Sequence, residues 1–383
     1  MSATEERRGF AALFAAAQAV EQQRPAQFVA ALESTTTKEL VRTAARHRCL
    51  GYLYRAILEQ RVRTTAARAY LDATRDYRAK AALQAFATRS QLREVVATLD
   101  AAAIPFILLK GAARLLRRDA EAEWNLMGDL DILVPPESAF AAMATLMEKG
   151  YRPYTEGNES EHYDQHHHHL IPLLSPTPGL YIELHRELAV PGTLSLATDW
   201  NACAPLAERV SDDGISALCL NGLGTAFHLL VHGLGFRRLH DTVMLARRLR
   251  EQAEIMGPLQ ALVAQERLRP VSLQAGVALA ARIAGIALPE SERVTRCIAW
   301  LWRREMLNTY LRERTQFVDA WYANGGRLFG PATREALPNF YAPRQNTVTR
   351  AVVFGYRVAG RALTSAWGAL TAPRARVADL PST

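Results

Sequence analysis

GDLDILV, residues 128–134, is the stretch that decides how this chain folds. In a β-strand successive side chains point to opposite faces. Asp129 and Asp131 therefore share one face, and Leu130, Ile132 and Val134 share the other. The apolar face can pack into a core while the two carboxylates converge on one region of solvent. Anions held that close repel one another unless a positive charge lies between them, and a divalent cation with oxygen ligands meets that need.

The same alternation recurs downstream in YIELHREL, residues 181–188, with Tyr181, Glu183 and His185 on one face and Ile182 and Leu184 on the other. Laid beside the first strand, this one adds Glu183 as a third carboxylate, enough for one or two magnesium ions. Upstream, FILLKGAARLL (106–116) reads as a strand that turns through Lys110 and Gly111 into a helix. Such a turn presents backbone N–H groups and the positive end of a helix dipole, which suits phosphate. Gly111 lets a phosphate approach the backbone, and Lys110 adds a point charge. Alone, an Asp-x-Asp also reads as surface acids at a strand end, and Lys-Gly as a turn; order and scaffold give them a sharper meaning.

Around this centre the texture is helical. Residues 1–102 are rich in Ala, Leu, Arg, Glu and Gln at helical spacing, the last helix (79–101) ending against Pro105. Residues 103–198 alternate: strands at IPFILLKG and GDLDILV, helices over 112–124 and 139–149, then LIPLL and GLYIELHREL across a Ser-Pro-Thr-Pro-Gly turn. From 199 to 383 helices are expected at 222–235, 238–252, 257–266, 270–286, 290–311 and 346–369, with a Gly- and Pro-bearing loop at 312–345. The fold class expected is α+β, a small mixed sheet flanked by two helical regions.

The three motifs LLKGAARLL, GDLDILV and YIELHREL resemble, in this order, the polymerase-β-like nucleotidyltransferase superfamily, most closely a poorly characterised bacterial branch with the pattern LKG…DIDLLV…ELH. The likeness covers about residues 104–190, with a weaker echo in FHLLVHGLGFRRLHDTVMLARRL (227–249). It implies that Asp129, Asp131 and Glu183 are the metal-binding catalytic acids, holding two Mg2+ ions that Mn2+ could replace. It also implies that Lys110, Gly111 and Gly128 bind the nucleotide, ATP first among the triphosphates. The acceptor implied is a hydroxyl of a small molecule or peptide natural product. Lys110-Gly111 stands where the superfamily usually has Gly-Ser, and Asn125 where the branch often has Arg. These departures leave open a member that binds nucleotide or a partner without turnover; a transferase acting on a protein side chain or an RNA end is a further alternative.

Other residues carry two readings each. His166–His169 could hold a metal or phosphate, but alternation sends two to each face and an exposed edge strand is expected. His185 could orient Glu183 or the acceptor, or sit hydrogen-bonded beneath the site. His228 and His232 lie one turn apart with no Glu at the metalloprotease position, so packing at a cleft edge is expected. His240 and Asp241 suit a cap or an acceptor-pocket wall, with His232 and Asp241 the acceptor-side candidates. Trp124 could stack on a base but reads first as core.

Bulk properties narrow the class. At 383 residues a large core is available without covalent staples. Cys49, Cys203, Cys219 and Cys297 form no CxxC pair, which argues against a zinc knuckle or disulfide framework and fits a reducing cytoplasm. The N-terminus does not read as a signal peptide, and the late stretch 351–370 is broken by Arg357 and Arg361, so no membrane span is expected. The net charge of +8 comes from Arg scattered along helices, which suits solvated faces better than a nucleic-acid groove.

Overall fold

The computed structural model describes residues 3–154, 167–176, 179–189, 194–232, 239–268 and 270–298. The helix expected at 290–311 is described only to residue 298, where 292–298 are helical; the rest of it, the helix expected at 346–369 and the loop at 312–345 lie outside the described residues, as do His166 and residues 233–238.

Four helices open the chain: α1 (Ala3–Glu21), α2 (Pro25–Glu33), α3 (Thr37–Arg46) and α4 (Leu50–Glu59). A capping box fixes the start of α3, where the Thr36 side chain accepts from the Glu39 backbone and the Glu39 side chain accepts from the Thr36 backbone. Next comes α5 (Thr65–Ala101), a 37-residue rod far longer than the sequence texture suggests. Ala103, at φ 54°, turns the chain out of it into β1 (Ile107–Leu108).

The stretch expected as one helix over 112–124 is two, α6 (Lys110–Leu116) and α7 (Ala120–Trp124), separated by Arg118 at φ 53°. Then follow β2 (Asp129–Leu133), α8 (Ala139–Glu148), β3 (Arg152–Pro153), β4 (Leu173–Leu174) and β5 (Tyr181–His185). A short α9 (Trp200–Cys203) leads into β6 (Ala207–Asp212) and β7 (Ile215–Leu220). The chain then continues through α10 (Gly222–His232), α11 (Leu239–Glu251), α12 (Met256–Ala264) and α13 (Pro270–Ala284). The result is α+β.

All seven strands form one mixed sheet in the order β3-β4-β5-β2-β1-β7-β6. The β6–β7 hairpin adds strands in a stretch that the sequence reading leaves without structure ahead of the C-terminal helices, and β7 lies parallel to β1. Its turn is Asp213-Gly214, both at positive φ, as a tight hairpin requires.

Two apolar cores lie on opposite faces of the sheet. On one, Leu130, Ile132, Val134, Ile182 and Leu184 pack with the second half of α5 and with α8. On the other, Ile107, Leu109, Leu133 and Leu220 join residues from α1 to α4 and from α10 to α13. The face that carries the acids is thus the one on which helices from both ends of the chain meet.

Candidate active site

Strand β2 pairs with β5 in parallel, with Asp129 opposite Tyr181 and Asp131 opposite Glu183. Side chains of directly opposed residues share a face. The two acids expected on one face of β2 and the one expected on β5 therefore come together. His185, two residues beyond Glu183, turns its Nε2 to Asp131 Oδ1 at 2.9 Å and lies 3.5 Å from Glu183 Oε2. Donor atoms of Asp131, Glu183 and His185 lie within 4.8 Å of one another.

Lys110 opens α6 at φ 41°, a conformation unusual for a side-chain-bearing residue. That turn sends its ammonium to Asp131 Oδ1 at 2.5 Å. Gly111 follows, against Met127: a Cβ there would stand 2.5 Å from Met127 Sδ. Gly128, just before the acids, has open space where a side chain would go. At seven residues α6 is short, and the cation reaches the site through the Lys110 side chain.

The charges nearly balance, with one group in surplus. Burial favours the neutral form of Asp131, but Lys110 and His185 hold its carboxyl well below the ordinary carboxylate range. Burial likewise pushes Glu183 up, and His185 and His169 more than offset it. Lys110 is pulled down by burial and raised further by Asp131, so it stays charged. Burial lowers His185, yet its bonds to Asp131 and Glu183 raise it on balance. Asp129 has weaker support: burial first, then the charges of Asp131 and Glu183, outweigh Lys110 and push it up to about 7. Three acids with one local surplus negative charge fit a cation bound by oxygen, the donor set that magnesium takes.

The acids open into a cleft of about 620 Å³. Its walls come from distant segments, Arg48 and Arg55 on the N-terminal side and His228, His232, Asp241 and Arg248 on the C-terminal side. His232 Nδ1 lies 3.2 Å from Asp241 Oδ2, and His240 Nδ1 lies 3.6 Å from Asp241 Oδ1. Burial raises the Asp241 carboxyl, but His232 and His240 hold it well below its usual range. His228 is buried, 6.1 Å ring to ring from His232, and burial drives it to the neutral form. Trp124 packs between Tyr54 and the Arg78 guanidinium, 4.1 Å from the latter, and does not line the cleft.

The exposed edge strand expected for the histidine run is overturned for His167, His168 and His169, which line the cleft beside Glu183. They do not form a regular strand; His169 makes only an isolated bridge to His185, so strict alternation does not govern them. Their rings cluster, with centroids 4.0–4.8 Å apart. Burial lowers both His168 and His169 from the ordinary histidine range.

Sequence reading also passes over the cleft arginines. Arg48, Arg114 and Arg248 line the cleft and form no ion pair among the described residues. Arg114 was findable, since it lies one helical turn after Lys110. Arg48 sits in a turn at φ 56° and carries no periodic signal.

A family model described as uncharacterised nucleotidyltransferase matches residues 33–285, about two thirds of the chain. No curated protein and no solved structure matches. The matched span takes in α3 to α5, the whole sheet and the C-terminal helices through α13.

Proposed function

The chain belongs to this nucleotidyltransferase family, and from that premise we propose that it transfers a nucleoside monophosphate from a triphosphate, ATP first, to a hydroxyl of a small-molecule or peptide acceptor. The observation that carries the reading is the convergence of Asp129, Asp131 and Glu183 across the parallel β2–β5 pair, with Asp129 left in surplus charge.

Asp129, Asp131 and Glu183 would hold divalent magnesium, with His185 fixing the orientation of Asp131 from beneath. Bound there, the metal supplies Lewis-acid stabilisation of the attacking and leaving oxygens of an in-line displacement at the α-phosphate. Lys110, between Asp131 and the cleft, balances charge and can turn to the triphosphate. Gly128 leaves the backbone open for it, whereas the space beside Gly111 is filled by Met127. Arg48, Arg114 and Arg248 suit the remaining phosphate oxygens, because guanidinium groups match them in geometry. On the opposite wall, His232, oriented by Asp241, is suited to take the proton of the attacking hydroxyl. With Nδ1 facing the Asp241 carboxylate, Nε2 is the atom available to the acceptor.

The test is pyrophosphate release from ATP with Mg2+. Wild type is expected to release it, and Asp129→Asn or Asp131→Asn to lose it by about 10³-fold, the scale of removing a metal's several kcal/mol of transition-state stabilisation. Undiminished release in either variant rejects the assignment. Mass spectrometry after incubation with ATP identifies which species gains the nucleotide: a small molecule or peptide as proposed, or a protein side chain or RNA end. One observation favours a second reading, binding without turnover: the Lys110 ammonium is already engaged by Asp131 where the superfamily usually has Gly-Ser. Tight ATP binding with no pyrophosphate under any acceptor would support it.

A further inference from the structure

The transfer chemistry uses the acids of β2 and β5, Lys110 and the His232–Asp241 pair, and leaves His228 of the same cleft without a task. We propose that His228 hydrogen-bonds a ribose hydroxyl of the bound nucleoside triphosphate and so makes the protein select ribonucleotides over deoxyribonucleotides, a role that rests on the triphosphate reading of this site.

The placement follows from the sequence of α10. Residues three and four apart on a helix share a face, which groups Thr225, His228, Leu229 and His232, and all four line the cleft. His228 is only 4% exposed. Its Nε2 is shielded from solvent and has no hydrogen-bond partner among the described residues. A buried polar atom in that condition is costly and calls for a cause, of which a ligand that meets it is one. His240 Nε2 is likewise without a partner, but its Nδ1 faces Asp241 Oδ1 at 3.6 Å, on the acceptor's wall.

The charge state selects the kind of partner. Burial drives His228 to the neutral form, and the charge of Lys110 adds to that. Phosphate oxygens are best met by charged donors, so a neutral ring suits an uncharged group. A hydroxyl both donates and accepts, and it satisfies Nε2 whichever tautomer the ring adopts. The ring already lines the cleft, and a turn about its side-chain bonds presents Nε2 to a group seated there.

Position selects which hydroxyl. Lys110 acts on His228 more strongly than does His232, one turn away on the same helix, and Asp131 and His185 act on it too. His228 therefore faces the end of the cleft that carries the acids. In the proposed reaction the α-phosphate lies on those acids, and the uncharged, hydroxyl-bearing group bonded to it is the ribose. His232, 6.1 Å from His228 ring to ring, is left to the attacking hydroxyl of the acceptor.

The experiment uses the full chain with Mg2+ and measures, by calorimetry, the binding of ATP, 2′-deoxy-ATP and 3′-deoxy-ATP. Wild type is expected to bind ATP about tenfold more tightly than at least one of the deoxy analogues, the scale of leaving a buried polar atom unmet. In His228→Phe, a ring of similar shape without nitrogens, that ratio should fall to about 1. The ligand-free variant should melt no lower than wild type, because an apolar ring takes an unmet polar atom out of the interior. Should the phenyl ring not be accommodated, His228→Gln, which keeps a hydrogen-bonding amide, takes its place and should lower the ratio without abolishing it. Equal binding of the three nucleotides by wild type overturns the proposal, as does a preference for ATP undiminished in the variant. Either result leaves the triphosphate reading standing, whereas ATP that does not bind at all rejects that reading and this role with it.

Discussion

At the residue scale, the pivotal feature is the unequal treatment of three acids. Asp131 and Glu183 are held charged by Lys110 and the histidines, whereas Asp129 is raised to about 7. A proton and a metal ion then compete for Asp129, and binding the ion expels the proton. Affinity for Mg2+ or Mn2+ is expected to rise with pH up to about 7 and to level off above it. Calorimetric titration across that window checks this, and an affinity indifferent to pH would sink it. Stability of the metal-free protein should move the other way. The folded-state value lies above the ordinary 3.8, so between about 4 and 7 the folded chain holds a proton that the unfolded chain has lost, and stability falls as pH rises through that window. Saturating metal should flatten the dependence. Gly111 makes a steric claim at the same scale. In Gly111→Ala the new methyl meets Met127 Sδ and pushes on the segment that leads into Asp129. Activity should drop about tenfold or more while the melting temperature changes little, since a small displacement of the acids costs rate before it costs stability.

At the scale of elements, α5 acts as a rail for the strands that carry the acids. Gln84 on α5 donates to the Met127 carbonyl at 2.9 Å and accepts from the Met127 N–H at 2.8 Å. Gln91, seven residues on, donates to the Leu180 carbonyl at 2.8 Å and accepts from the Leu180 N–H at 2.9 Å. One amide pins the entry to β2 and the other the entry to β5. Gln91→Leu leaves a buried N–H and C=O without partners, which costs about 1–3 kcal/mol. Denaturant unfolding should register that loss, and a variant as stable as wild type would show the clamp to be idle. What the sequence disclosed follows the same logic. The alternation in GDLDILV and YIELHREL is local, so the facing of Asp129, Asp131, Glu183 and His185 could be read from a few residues. The Asp213-Gly214 hairpin was equally local and was passed over, although Asp-Gly between alternating runs is a strong turn signal. Clustering of His167–His169 was not legible, because an irregular segment obeys no period. Arg48 and His232 reach the cleft only through packing between helices remote in the chain.

For the whole molecule, the two helical regions hold each other directly. Glu21 at the end of α1 is buried and accepts from the Tyr52 hydroxyl at 3.0 Å and from Arg247 on α11 at 3.0 Å, with Arg250 at 3.4 Å. This ties the first helix to the wall that carries Asp241. Glu21→Ala leaves two guanidinium groups facing a void and should destabilise the fold by about 3–5 kcal/mol. Differential scanning calorimetry would show it, and a loss under about 1 kcal/mol would argue that the pair is solvated and weak. Because Arg247 itself lines the cleft, the same change should also loosen the cleft wall.

The parallel pairing of β2 with β5 has a consequence in time. Asp131 and Glu183 face each other from positions separated by the intervening passage through α8, β3 and β4, and parallel neighbours form only after such a detour has closed. A chain still emerging from the ribosome can present its aspartates early yet lack the glutamate opposite them. The set of three acids is therefore complete only once β5 has been made and has paired with β2.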